Sequence, residues 1–335
     1  MIEIAGLTKS YGATTVLDGI DLSVGQGRIA AVVGPSGAGK STLARCVNLL
    51  EQPTSGTIAV AGQDLTRLSR RDLRLARRQI GTVFQSANLL RRLTAAQNVA
   101  LPMRHAGLPE AEIRRRVAEL LERVGMLHRA NHYPSQLSGG QRQRVGIARG
   151  LALGPSVLLA DEATSGLDPD STRAILDLLT ELRDDLGLTV LVITHEMDVV
   201  RAIADQVAQL DHGRIVEQGP VADVVRRSDS GLSRALLSMP PVAAVERLRT
   251  WNVRYEGGDV SPVWLAQAGR ELDADIAVLA ALVEAVGESR VGRLALGIDP
   301  QLDERRVVEV LSRHGVVAEP TERPLLRAVP DAGAA

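Results

Sequence analysis

Eight consecutive residues, Gly34-Pro35-Ser36-Gly37-Ala38-Gly39-Lys40-Ser41, carry the densest chemistry in this sequence. They form a complete G-x-x-x-x-G-K-S phosphate loop. Its glycines permit a tight turn whose backbone N–H groups point inward at an anion, and a helix N-terminus behind them adds partial positive charge. Lys40 can reach the β- and γ-phosphates of a nucleotide, the Ser41 hydroxyl can bind Mg²⁺, and Thr42 follows on the same helical turn. A second set is Val157-Leu158-Leu159-Ala160-Asp161-Glu162, an apolar strand ending in two acids. In open α/β sheets ligands bind at the carboxyl ends of strands. Asp161 is therefore placed to hold Mg²⁺ through water, and Glu162 to polarise an attacking water as general base. A third set is Leu137-Ser138-Gly139-Gly140-Gln141, followed at once by Arg142, Arg144 and Arg149 with Val145 and Ile147 between them. That is a helix start. Ser138 can cap it, and the two glycines let backbone N–H groups approach an anion closely.

The elements that must position these groups alternate in an α/β pattern with a mainly parallel core sheet. Strands are expected at 2–7, 20–24 and 28–33, then a helix at 40–50 and a turn at Pro53-Thr54-Ser55-Gly56. The third strand is a near-continuous apolar run, as a strand buried on both faces requires. A strand at 80–84 ends at Gln85. Residues 86–150 change character: Ile113, Val117, Leu120, Leu121 and Val124 keep helical spacing, which marks a helical insertion. Strands follow at 157–160 and 189–193, with a helix at 171–186 between them.

Composition sets the outer limits. A chain of 335 residues with 45% apolar content suggests two domains with real cores. A net charge of −1 argues against a nucleic-acid footprint. The single cysteine, Cys46, rules out an internal disulfide, fits a reducing cytoplasm and reads as a small buried hydrophobe. The N-terminus shows no signal-peptide pattern, and the longest apolar stretch, 276–286, is too short to span a bilayer and contains Glu284. The expectation is a soluble chain, so any membrane part comes from other subunits.

The ordered set of phosphate loop, Ser-Gly-Gly-Gln run and acidic strand end resembles the ATP-binding cassette of ABC transporters. The resemblance implies further roles. Gln85 matches the Gln loop, which touches Mg²⁺ or the water and senses the membrane partner. His195, in Val192-Ile193-Thr194-His195-Glu196, matches the switch histidine at the γ-phosphate. Ser165-Gly166-Leu167-Asp168 matches the loop that crosses to the other subunit. Tyr11 stands where the family stacks an aromatic on adenine. The Ser138-Gly139-Gly140-Gln141 run implies closure over ATP held by a second copy, in a head-to-tail dimer with two composite sites.

Three further stretches look like the methionine-importer branch: 37–51, Tyr133-Pro134-Ser135-Gln136, and the run from Ile193 to Val200. That branch carries a C-terminal ferredoxin-like (NIL) domain. Here a strand at 247–255, helix at 261–270, strands at 274–284 and 290–298, helix at 301–314 and strand at 315–319 give the order βαββαβ. The expected organisation is a phosphate-loop cassette at 1–240 with its helical subdomain at 86–150, a linker at 241–246, a small α+β domain at 247–320 and a tail at 321–335. The family's Asn-Ile-Leu segment is Asp275-Ile276-Ala277 here. The implied function is the ATP-hydrolysing, energy-coupling subunit of a methionine importer, peripheral on the cytoplasmic face, with a C-terminal domain that senses the intracellular substrate. Its implied partners are a second copy, two membrane permease subunits and, indirectly, a substrate-binding lipoprotein. The alternative is a cassette ATPase for another small substrate whose C-terminal domain serves only dimerisation.

Overall fold

The computed structural model describes residues 1–227, 230–238, 247–256, 260–286 and 289–321. The chain divides into two compact units, Met1–Val224 and a second beginning at Val225. The linker expected at 241–246 and the tail from 322 onward lie outside the described residues.

The first unit opens with a hairpin of β1 (Ile2–Tyr11) and β2 (Thr14–Val24). β3 (Ile29–Val33) leads into α1 (Lys40–Val47), then β4 (Ser55–Val60), β5 (Gln63–Asp64), α2 (Arg70–Ala76) and β6 (Ile80–Val83). The helical insertion is α3 (Ala95–His105), α4 (Glu110–Arg123) and α5 (Gly139–Gly150). After it come β7 (Val157–Asp161), α6 (Pro169–Leu186), β8 (Thr189–Thr194), α7 (Met197–Ile203), β9 (Gln206–Asp211), β10 (Arg214–Pro220) and α8 (Val221–Arg226).

Two sheets result, one antiparallel of order β2-β1-β4-β5 and one of order β10-β9-β3-β8-β7-β6. In the second, β9, β3, β8, β7 and β6 run parallel, as the alternation of strands and helices requires. Every residue of β3 and β8 is buried. Successive side chains point to opposite faces. Leu158, Ala160, Val190 and Val192 therefore join the core of the helical insertion and α6. Val157, Leu159, Leu191 and Ile193 join a second core, with α1 and the antiparallel sheet. Cys46 is buried in that second core, where desolvation pushes its thiol above the ordinary range.

Some boundaries differ from the sequence expectation. The first hairpin is longer than 2–7 and 20–24, because Tyr11 pairs with Thr14 around Gly12 at φ 59°. Helix α1 stops at Val47 rather than residue 50, since Leu49 takes a left-handed φ of 50°. Its carbonyl accepts from Arg77, and the Asn48 side chain accepts from the Thr82 hydroxyl at 3.0 Å.

The second unit holds α9 (Gly231–Leu236), β11 (Arg249–Glu256), α10 (Trp264–Leu272), β12 (Ala277–Val286), β13 (Ser289–Ile298), α11 (Glu304–Arg313) and β14 (Val316–Pro320). Its antiparallel sheet has the order β12-β13-β11-β14, so β13 lies between β11 and β12, as in a split βαβ unit. The two helices α10 and α11 pack side by side, and Trp251, Trp264, Leu294, Leu296, Val307 and Leu311 fill the core. β12 begins at 277 rather than 274. Asp273 ends α10 in a left-handed conformation, and the Ala274 N–H donates back to Gly269 at 3.1 Å, so 273–276 is spent leaving the helix.

Candidate functional site

Four parallel strands end in a row. The register pairs Val33 with Thr194, Ile193 with Asp161, and Ala160 with Val83. The residues just beyond those ends are Gly34, His195, Glu162 and, after Phe84, Gln85. Sequence spacings of about a hundred and sixty residues are thus folded into one edge.

The phosphate loop fills the turn between β3 and α1. Pro35, Ser36 and Gly37 are exposed, Ala38 is buried, and Gly37 and Gly39 take φ of 83° and 108°. A side chain at Gly34 would meet the Leu210 carbonyl oxygen at 2.1 Å, so this glycine is needed for the close approach to β9. Lys40 is buried, and its ammonium donates to the Gly34 and Pro35 carbonyls at 2.7 and 2.9 Å. Ser41 is exposed and Thr42 half-buried on the first turn of α1, which carries no acidic residue to neutralise the helix end.

Beside it, Asp161 and Glu162 crowd two carboxylates. Burial first, then the Glu162 charge, holds the Asp161 carboxyl above its ordinary range against the pull of Arg45 and Lys40. Glu162 sits at a left-handed φ of 49°, fixed by its N–H donating to the Ile193 carbonyl at 2.8 Å. Glu162 does not cap α6, which begins seven residues later with Asp168 as its cap. Its Oε1 lies 3.3 Å from His195 Nδ1, and the imidazole is half exposed. Gln85 is exposed and donates to the Ser165 hydroxyl at 3.2 Å, which brings the Gln segment against 165–168.

Other expected residues also have partners, among them Ser138 as the helix cap that the sequence announced. The Asp168 carboxylate accepts from the Ser171 N–H at 2.9 Å, and hydrogen bonding from Ser171 lowers its pKa. Tyr11 is the last residue of β1 rather than a residue beyond it. Its hydroxyl donates to Glu51, and Lys9 Nζ sits 4.8 Å from its ring centre. Glu51 also pairs with Arg45 at 3.2 Å. Ser138 caps α5 in a reciprocal pair with Gln141: Ser138 Oγ accepts from Gln141 N–H at 3.3 Å and Gln141 Oε1 accepts from Ser138 N–H at 3.0 Å. Side chains at Gly139 and Gly140 would crowd Leu167 and the Ser171 hydroxyl, each at 3.0 Å. These glycines therefore also let α5 start close to α6. The Ser138 helix packs in the core of the helical insertion, whereas α1 packs in the other core.

Three residues were missed. Gln143, buried on α5, donates to the Phe84 carbonyl at 3.0 Å. Arg149 donates to the Ala87 and Asn88 carbonyls at 2.6 and 2.8 Å, where both residues are left-handed. Asn98 is fully buried and binds Leu90, Leu93 and Thr94 backbone groups with four hydrogen bonds. Together they set the path of the chain after Gln85. The only sequence signal was an Arg-Gln-Arg run on a helix, which reads as a solvated face.

Residues 17–165 match the family described as ABC transporter. The methionine import ATP-binding protein MetN 1 of Rhodococcus jostii is 53% identical over 303 residues, covering 89% of this chain and 90% of that one. The chain belongs to the family of methionine import ATP-binding proteins. A second member, from Streptomyces griseus, is 46% identical over 333 residues, covering 96% and 93% of the two chains. Among solved structures, a dimeric post-hydrolysis state of the ATP-binding cassette MJ0796 bound to ADP and Pi is similar with a TM-score of 0.61. It is 35% identical and covers 66% of this chain and 99% of that one. As an ABC cassette of this family, the first unit is an ATP-binding ATPase module.

The residues at the strand ends fit a magnesium nucleotide. A hydroxyl at Ser41, a carboxylate at Asp161 and an amide at Gln85 are hard oxygen donors. Mg²⁺ takes few protein ligands of this kind and completes its octahedron with phosphates and water. Among the described residues no helix is long and apolar enough to cross a membrane.

Proposed function

We propose that this chain hydrolyses ATP to drive methionine import, as the energy-coupling subunit of a transporter. The observation that carries the reading is the 3.3 Å contact of Glu162 with His195 at the strand edge that also holds the phosphate loop, Asp161 and Gln85. In this reading Lys40 exchanges its two carbonyl partners for phosphate oxygens. The loop N–H groups from Gly34 to Ser41 and the first turn of α1 at Thr42 hold the remaining phosphate charge. Bound Mg²⁺ supplies charge neutralisation at the phosphates, with Ser41, Asp161 and Gln85 as its protein-side donors. Glu162 takes the proton of the attacking water, and His195 orients both Glu162 and the terminal phosphate. Tyr11 stacks on the base after its ring is released from Lys9.

The rest of the assembly follows from the same reading. Two copies meet head to tail, so that Ser138, Gly139, Gly140 and Gln141 of one close over the nucleotide of the other, with Asp168 at the crossing loop. The dimer sits on two permease subunits at the cytoplasmic face of the membrane. The cassette occupies 1–240, and the unit at 247–320 senses methionine and slows turnover when the amino acid is abundant. For that sensing site the apolar wall open to a ligand lies on β12 rather than β13. Leu294, Leu296 and Ile298 of β13 are committed to the unit's own core, whereas Val278 and Val283 of β12 are exposed. Asp275 is exposed just ahead of β12.

Ser138→Arg tests the composite site. The variant keeps an intact phosphate loop, so it should bind nucleotide and lose hydrolysis in the reconstituted transporter. Wild-type turnover by that protein overturns the reading. Calorimetric titration of the full chain with methionine tests the sensing role, and absence of binding at millimolar ligand leaves dimerisation as the second unit's job.

A further inference from the structure

The tip of the first hairpin is laced to the segment after α1 more heavily than its backbone requires. The Ser10 N–H donates to the Thr54 hydroxyl at 2.9 Å, and the Thr54 N–H donates to the Thr8 carbonyl at 2.8 Å. Those two bonds, with the pairing of β1 and β4, already fix where the strand ends. A further contact reaches past the backbone: the Tyr11 hydroxyl donates to Glu51. The same carboxylate stands 3.7 Å from Lys9 Nζ and accepts from Arg45 at 3.2 Å. The Lys9 ammonium donates to the Gln52 carbonyl at 2.8 Å. The Lys9 and Glu51 side chains are 15% and 21% exposed, so this is a sheltered cluster rather than a solvated face. The chain bends to deliver it. Leu49 takes a left-handed φ that a bulky residue rarely adopts, and the Leu50 and Glu51 N–H groups then both donate to the Arg45 carbonyl, at 2.9 and 3.2 Å.

A carboxylate just past the C-terminus of the helix that carries the phosphate loop gains nothing from the helix dipole and repels an anionic ligand. Its gain lies in Tyr11. That side chain is 45% exposed at the end of β1, where a phenol tied down only at its backbone samples several rotamers. Held by its hydroxyl, the ring keeps one orientation. Lys9 keeps the Gln52 carbonyl and the Glu51 carboxylate as partners when it leaves the ring. We propose that Glu51 is a positioning residue for nucleobase binding, fixing the Tyr11 ring as a ready stacking surface; this rests on the reading of Tyr11 as the residue that stacks on the base. A side chain that must instead be ordered at the moment of binding weakens affinity about two- to tenfold.

The experiment titrates the full-length chain by calorimetry with ADP and, separately, with pyrophosphate, which lacks the nucleoside. The readout is the ratio of the two affinities, which a general weakening of the phosphate loop does not move. Glu51→Ala and Tyr11→Phe should each lower that ratio about two- to tenfold, and the double variant should lower it no further, since both changes remove one contact. Glu51→Gln, whose amide oxygen still accepts the phenol proton, should recover most of the loss. A wild-type ratio in Glu51→Ala, including equal losses for both ligands, overturns the proposal. So do losses that multiply in the double variant, or no recovery in Glu51→Gln. Tyr11→Ala separates the proposal from the reading beneath it. A lower ratio in Tyr11→Ala with a wild-type ratio in Glu51→Ala overturns the positioning role alone. A wild-type ratio in Tyr11→Ala overturns the stacking reading and the positioning role together.

Discussion

Glu162→Gln removes one charge and keeps the side chain's shape, so its effects on chemistry and on stability should separate. A lost general base slows turnover by roughly 10²–10⁴, which is about 3–5 kcal/mol of barrier. The contact with His195 survives in either tautomer, because a carboxamide can both accept and donate across the 3.3 Å gap. The left-handed φ of 49° strains Gln no more than Glu. The neighbouring Asp161 gains. Its carboxyl is raised by burial and then by the Glu162 charge, so removing that charge lets it ionise more readily. Nucleotide affinity should therefore be undiminished, and the ligand-free protein should melt no lower than wild type. Phosphate release by the reconstituted transporter gives the rate, a fluorescent ATP analogue gives the affinity, and calorimetry gives the melt. Turnover within about threefold of wild type refutes the base role. Lost turnover together with lost nucleotide binding refutes the claim that Glu162 acts on the chemistry alone.

Asn98→Ala deletes four buried hydrogen bonds and strands their backbone partners, which should lower urea stability by about 3–5 kcal/mol. Asp161→Asn should stabilise the ligand-free cassette at neutral pH while ending Mg²⁺-dependent hydrolysis. A carboxyl raised in the folded state favours folding only when protonated, so the variant's advantage should shrink as pH falls through that raised pKa and vanish well below it; melts from pH 3.5 to 7.5 check the sign. Gly292→Ala places a methyl 2.3 Å from the Tyr255 ring and should destabilise the second unit, and Tyr255→Leu in the same chain should recover part of that loss in a double-mutant cycle.

The phosphate loop, the acidic strand end and the Ser138 cap were legible because each is a local pattern. Its residue types and spacing state both an element boundary and a chemistry. Gln85 and His195 needed the order of motifs around them, since a lone Gln or His is mute. Gln143, Arg149 and Asn98 stayed hidden for a physical reason. Their partners are backbone carbonyls and an N–H, which every residue owns, so no complementary side chain marks them in the sequence. The end of α1 at Val47 was hidden because it depends on Arg77 and Thr82 arriving from distant parts of the chain. The late start of β12 was lost because Asp273 carries the left-handed turn in place of the usual glycine.

The in-register strand ends give the parallel sheet the property of a ruler. Gly34, His195, Glu162 and Gln85 follow the lateral sequence β3, β8, β7, β6, whose strands are about 4.8 Å apart. The graduations are set by backbone hydrogen bonds, and side-chain substitutions inside the strands leave them unmoved. Insertions and deletions are another matter. One residue added to or removed from any of these four strands turns every following side chain to the opposite face and takes one group off the scale. Volume-conserving exchanges among Val, Ile and Leu inside the sheet therefore leave the scale intact, while the lengths of β3, β6, β7 and β8 are frozen. Length, rather than composition, is where the cassette cannot change.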